Sequence, residues 1–131
     1  MNYFYIILGI ALVLIILIII SAFFRKKKIS NSDKKYFYKL LKEIPKHGDV
    51  ERQILEYDKL LDKVLHTRGY VGSLGEKLKE NPHLFKDING LWEAHKMRNK
   101  IAHEIDFSLA KTQAQKYIQI FKSNIIMLID L

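Results

Sequence analysis

The segment Leu91-Trp92-Glu93-Ala94-His95-Lys96-Met97-Arg98-Asn99-Lys100-Ile101-Ala102-His103-Glu104 concentrates the side chains best suited to chemistry. On a helix, Leu84, Ile88, Leu91, His95, Arg98 and Ala102 recur at steps of four and three, as do Phe85, Ile88, Trp92, His95, Asn99 and Ala102. The merged stripe begins apolar and turns to imidazole, guanidinium and amide toward its C-terminal end. Polar groups on an inward-facing stripe need partners, because desolvating them unpaired costs roughly 2–7 kcal/mol. The partner is another helix, a second protomer or a ligand, and a break of this kind is where function is expected. Within the chain, Glu93, Glu104 or an acid on another helix could neutralise Arg98, and His103 could do no more than close the helix.

Other chemistries fit less well. The histidines at 47, 66, 83, 95 and 103 show no HExxH or comparable spacing. His95 and His103 stand two turns apart, ~12 Å along a helix axis, too far to share one ion. Gly69, Gly72 and Gly75 are followed by no GK[ST] and preceded by no strand, so they read as turn formers rather than a phosphate loop. Trp92 and the tyrosines read as packing groups. No metal and no cofactor is implied.

Helices must position these residues. Ser32 is placed to cap a helix from Asp33 to about Ile44, which Pro45 ends. It carries Tyr36, Phe37, Leu40, Leu41 and Ile44 at helical spacing. A second helix from about Asp49 to Thr67 presents Val50, Ile54, Tyr57, Leu61 and Val64 as one stripe. Arg68-Gly69-Tyr70-Val71-Gly72 breaks it, and Ser73-Leu74-Gly75-Glu76 has capping-box spacing for a short helix ending near Glu80. After Pro82, a helix from about Leu84 to Ala102 or His103 holds the polar stripe. The last runs from about Leu109 to Ile129 with Ser108 as its cap, burying Ala110, Ala114, Tyr117, Phe121, Ile125 and Leu128. No segment alternates as a strand, so the expectation is all-α: a small bundle of four to five helices over residues 33–131.

Arg98-Asn99-Lys100-Ile101-Ala102-His103 has the form Arg-polar-x-x-x-His, and here the chain resembles the HEPN superfamily of small helical-bundle domains. The architectural likeness covers roughly residues 33–131, while the residue likeness rests on Leu91–Glu104. The resemblance implies a metal-independent endoribonuclease in which two protomers place their Arg and His residues around one composite site. Carried onto this chain, His103 exchanges a proton with the ribose 2′-hydroxyl, Arg98 holds the scissile phosphate through its planar fork, and Asn99, four residues before His103, orients it. Lys100 and His95 are adjoining binding residues, His95 having the simpler alternative of a satisfied interior histidine. Five residues separate Arg98 from His103, ~140° around an ideal helix, so one helix cannot aim both at one atom and a homodimer is required. RNA or a nucleotide is the implied ligand. The alternative, from a different class, is a non-catalytic module that holds a protein partner near a membrane.

The membrane comes from the N-terminus. Tyr3 to Phe24 holds 22 residues without charge or proline, ~33 Å of helix against a hydrocarbon layer of ~30 Å. Tyr3, Phe4, Tyr5, Phe23 and Phe24 suit the two interfaces. No Lys or Arg precedes the run, and Ser21-Ala22 before Phe23 makes a poor cleavage site, which argues for a retained anchor over a signal peptide. Arg25-Lys26-Lys27-Lys28 then sets a single-pass topology in the inner or plasma membrane, with the N-terminus outside and the C-terminal domain cytoplasmic. The same cluster attracts anionic head groups at ~1 kcal/mol per basic residue. Of the formal +8, these four account for half, since 18 basic and 14 acidic residues follow them. The expected organisation is an anchor with its basic flank over 1–28, a linker over 29–32 and the bundle over 33–131. With no cysteine, neither disulfides nor thiolate metal sites can hold that bundle, and apolar packing must.

Overall fold

The computed structural model describes residues 2–23 and 26–131, so Phe24 and Arg25, assigned above to the interface and the basic flank, lie outside the described residues. Six α-helices account for the fold: α1 (Asn2–Phe23), α2 (Asn31–Glu43), α3 (Val50–Thr67), α4 (Leu74–Glu80), α5 (Ile88–His103) and α6 (Lys111–Asp130). Short 3-10 turns at Ile44–Lys46 and Pro82–Leu84 hold the two prolines at their first turns. Among the described residues there is no strand.

From Tyr3 to Ala22 every side chain of α1 is exposed, and this stretch of 20 residues is long and apolar enough to cross a membrane. The chain after it docks sooner than expected. Ile29 is buried in the core, the Lys27 N–H donates to the Arg68 carbonyl at 2.9 Å, and the Lys26 ammonium lies 4.2 Å from the Tyr70 ring centroid. Ser30, not Ser32, caps α2, its hydroxyl accepting from the Asp33 N–H at 3.1 Å. The segment 29–32, expected as a polar linker, thus supplies one core side chain, one cap and the first residues of a helix. The reason is Ile29, whose burial outweighs the polar composition of the residues after it.

Three helices make the centre: α3, α5 and α6 all pack on one another, with α2 laid across α3 and α6 and α4 bridging α3 to α5. The α3 stripe buries Ile54, Tyr57, Leu61 and Val64 as the spacing predicts, with Leu60 and Leu65 beside them. On α2 the burial falls on Phe37 and Leu41, while Tyr36 stays exposed. α3 ends on Gly69 at φ +87, the left-handed position that only glycine adopts without strain, and Tyr70 N–H returns to the Leu65 carbonyl at 3.0 Å. The Ser73–Glu76 capping box of α4 forms as read from the sequence.

Two further boundaries differ. The polar stripe's helix begins at Ile88 rather than Leu84, because Asp87 sits at φ 49 and caps it by accepting from the Gly90 N–H. A side chain at Gly90 would run into that carboxylate. α6 begins at Lys111, with exposed Ala110 in the cap position and no side-chain cap. Ser108 does not serve; Glu51 at the start of α3 takes the Leu109 N–H at 2.9 Å instead. That contact ties the loop before α6 to α3, while the first turn of α6 has no side-chain cap.

Asn124, wholly buried on α6, holds the entry to α5. Its amide accepts from the Lys86 N–H at 2.8 Å and donates to the carbonyls of Lys86 at 3.0 Å and Ile120 at 2.9 Å. Asn124→Ala orphans both backbone groups of Lys86, and about 2 kcal/mol of stability is expected to go with them. Equilibrium denaturation of the full chain in neutral detergent measures this, and a change below about 0.5 kcal/mol would contradict it.

Candidate functional site

Asp58 explains the polar stripe. It occupies the middle of the buried face of α3, between Ile54 and Leu61, with only 4% of its side chain exposed. A carboxylate in that position must be paired, since an isolated buried ion is far too costly. Two residues of α5 meet it. The His95 Nδ1 lies 2.7 Å from Asp58 Oδ1 and the Arg98 Nε lies 3.1 Å from Oδ2. The Arg98 contact is an ion pair by distance, but the Nε–H is not aimed at the oxygen and makes no hydrogen bond. The Arg98 Nη1 donates to the Asn99 side-chain oxygen at 2.8 Å, which splays the guanidinium between acid and amide.

The other helices seat this cluster. Trp92 meets the His95 ring edge-on, with centroids 6.0 Å apart. Behind them stands Gly75 in the first turn of α4, where an added Cβ would lie 3.7 Å from the His95 Nε2 and 3.8 Å from the Trp92 ring. Both are ordinary van der Waals distances, so the first turn of α4 packs directly against the imidazole and the indole. His95 is therefore a positioned interior histidine, the simpler of its two readings, with its carboxylate on one side and α4 on the other.

The remaining residues of the motif point elsewhere. His103 is the last residue of α5 and is exposed, as is Lys100; Asn99 is half-buried. Among the described residues no hydrogen bond joins Asn99 to His103, because the Asn99 oxygen is occupied by Arg98. Arg98 turns inward to α3 while His103 faces out, so one copy of the chain does not bring them together. This is the divergence that a five-residue separation imposes. Of the acids considered for Arg98, the partner is one on another helix; Glu93 and Glu104 make no ion pair with it.

Chemically, the arrangement splits into a fixed root and an open tip. The root, Asp58–His95–Arg98, cross-links α3 to α5 through a nearly dry ion pair. The tip, Asn99, Lys100 and His103, offers an amide, an ammonium and an imidazole to whatever approaches the end of α5. Sequence reasoning missed Asp58 and Gly75. An acid interrupting the Ile54–Leu61–Leu65 face of α3 is a legible signal that some cation must face it, whereas nothing in the local pattern distinguishes Gly75 from a turn glycine. Compared with protein-family models, curated proteins and solved structures, the chain matches none of them.

Proposed function

We propose that the chain is a membrane-anchored, HEPN-like module that presents the tip of α5 to RNA on the cytoplasmic side, two copies being needed to assemble a cleaving site. The observation that carries this reading is the division of the α5 motif. Asp58 locks Arg98 and the helix beneath it, while Lys100 and His103 remain exposed about half a turn and one and a half turns further on. In a dimer, the His103 of one protomer would meet the guanidinium edge that the other leaves accessible, Arg98 being a quarter exposed. His103 then shuttles the proton of the 2′-hydroxyl, and Arg98 stabilises charge on the phosphate. The exposed apolar α1 and the lysines that follow it support the anchor and its orientation.

The test is RNA degradation by the full-length protein in neutral detergent, with chelator present. Wild type is expected to cut, and His103→Ala to lose at least 10²-fold in rate, as removal of a general acid–base typically does. Equal inactivity of the two removes cleavage. A second reading then stands, favoured by the Arg98–Asp58 pair: a non-catalytic tethered module in which the cluster is structural and the α5 tip docks a protein partner.

A further inference from the structure

α6 has a second polar face that the α5 site does not use. Lys111, Thr112, Gln115, Lys116, Gln119 and Lys122 border a cleft of about 760 Å³ between α6 and the N-terminal end of α3, with Gln53 across from them. Among the described residues no acid lines it, and none of the α6 lysines bordering it is in an ion pair. Fully buried Tyr57 forms part of the wall, and its hydroxyl has no hydrogen-bond partner among the described residues. Burial pushes that phenol up, so it remains a neutral donor.

The spacing of the cations identifies the occupant's shape. Lys111 and Lys122 are eleven residues apart, ~17 Å along the helix and only ~20° around it, so they stand in line at the two ends of the cleft. A single small anion does not span the two ends; an extended polyanion does, passing Lys116, which lines the cleft between them. Amide and hydroxyl groups between them suit phosphate oxygens better than an apolar peptide face. The cleft is also remote from the anchor's attachment. The chain joins the bundle at Arg68, at the far end of α3, fifteen residues or ~22 Å from Gln53. That disfavours lipid head groups. The loop after His103, by contrast, is tied to the same end of α3 through Leu109 and Glu51.

We infer that the α3–α6 cleft is a track for the backbone of single-stranded RNA, gripped at Lys111 and Lys122 without regard to sequence. The identity of the polymer rests on the RNA reading above, but the grip uses none of Arg98, Asn99 or His103. Charge neutralisation by lysines of this kind is sequence-independent and strongly salt-dependent.

The experiment measures binding of a labelled single-stranded RNA oligonucleotide to the full-length protein in neutral detergent, by fluorescence anisotropy across a salt series. Lys111→Gln/Lys122→Gln is expected to raise Kd at least tenfold and to reduce the slope of log K against log salt by about 1.4, two phosphates at ~0.7 each. Lys35→Gln/Lys79→Gln, which removes the same charge from exposed positions on α2 and α4, should change neither. If wild type binds RNA and the cleft variant binds equally, or if both double variants lose equally, the cleft inference falls while RNA binding stands. If wild type binds no RNA, both fall. A soluble head group forms the second arm: if glycerophosphoserine displaces the labelled RNA from wild type as effectively as unlabelled RNA does, the cleft belongs to head groups and the inference falls.

Discussion

Asp58→Ala is expected to destabilise the bundle by about 3 kcal/mol, the lower end of the cost of breaking a buried ion pair by removing one partner. The lower end applies because Arg98 retains a quarter of its exposure and can recover some hydration, whereas His95 at 14% cannot move far under α4. The loss has two parts: the attraction itself, and two α5 donors left facing an apolar wall of α3. Trp92, the single tryptophan, sits against His95 and gives a local fluorescence signal for urea unfolding of the full chain in neutral detergent. A paired replacement separates charge from packing. Asp58→Leu/Arg98→Met removes both ions and fills similar volume, so it should return to within about 1.5 kcal/mol of wild type. If Asp58→Ala costs under 1 kcal/mol, the cluster does not hold α5 to α3, and the division into fixed root and open tip loses its basis.

Deleting residues 2–25 is expected to move the protein from a carbonate-resistant membrane pellet to the soluble fraction, with the bundle still folded. In the proposed anchor reading the affinity comes from the unbroken apolar surface of α1, which from Tyr3 to Ala22 is exposed on every side. The bundle survives because Ile29 and the Lys27 N–H, which the deletion spares, are its attachments to the core and to the end of α3. Lys26, Lys27 and Lys28 also remain. At ~1 kcal/mol each near an anionic surface they should leave weak vesicle binding that 0.5 M salt abolishes. Circular dichroism on the soluble product checks the fold. A truncated protein that still resists carbonate would show that something other than α1 holds it to the membrane, and one that is soluble but unfolded would show that the bundle depends on the anchor.

The two outcomes probe different layers of the same chain, and its sequence disclosed them unequally. Periodicity alone placed α3 and the buried face of α6 from Ala114 to Leu128, because a 3.6-residue repeat of apolar groups leaves little choice of which side turns inward, and capping-box spacing placed α4. The apolar run from Tyr3 was as plain, since 20 residues without a polar face have no place on a small soluble core. Boundaries were less legible. Ser32 and Ser108 looked like caps, but Ile29 pulled the chain in early and moved the cap to Ser30, and Glu51 satisfied the Leu109 N–H from across the bundle. A cap is a local hydrogen bond worth about 1 kcal/mol, and a single buried isoleucine outweighs it.

The polar end of the α5 stripe was visible in the sequence as a departure from pattern, together with the ~140° that separates Arg98 from His103. Tertiary structure decided what that departure meets. Asp58 is 37 residues before His95, and no short-range rule links them; only the packing of α3 on α5 brings the carboxylate 2.7 Å from the imidazole. The α3–α6 cleft is likewise invisible along the chain, because Gln53 and Lys122 become neighbours only when two helices distant in sequence cross. Local sequence therefore determined which faces are greasy, where the helices run and which side chains break the pattern. Which charges those side chains find depended on helix packing, since electrostatic partners are chosen by distance in space and the helical repeat carries no record of it.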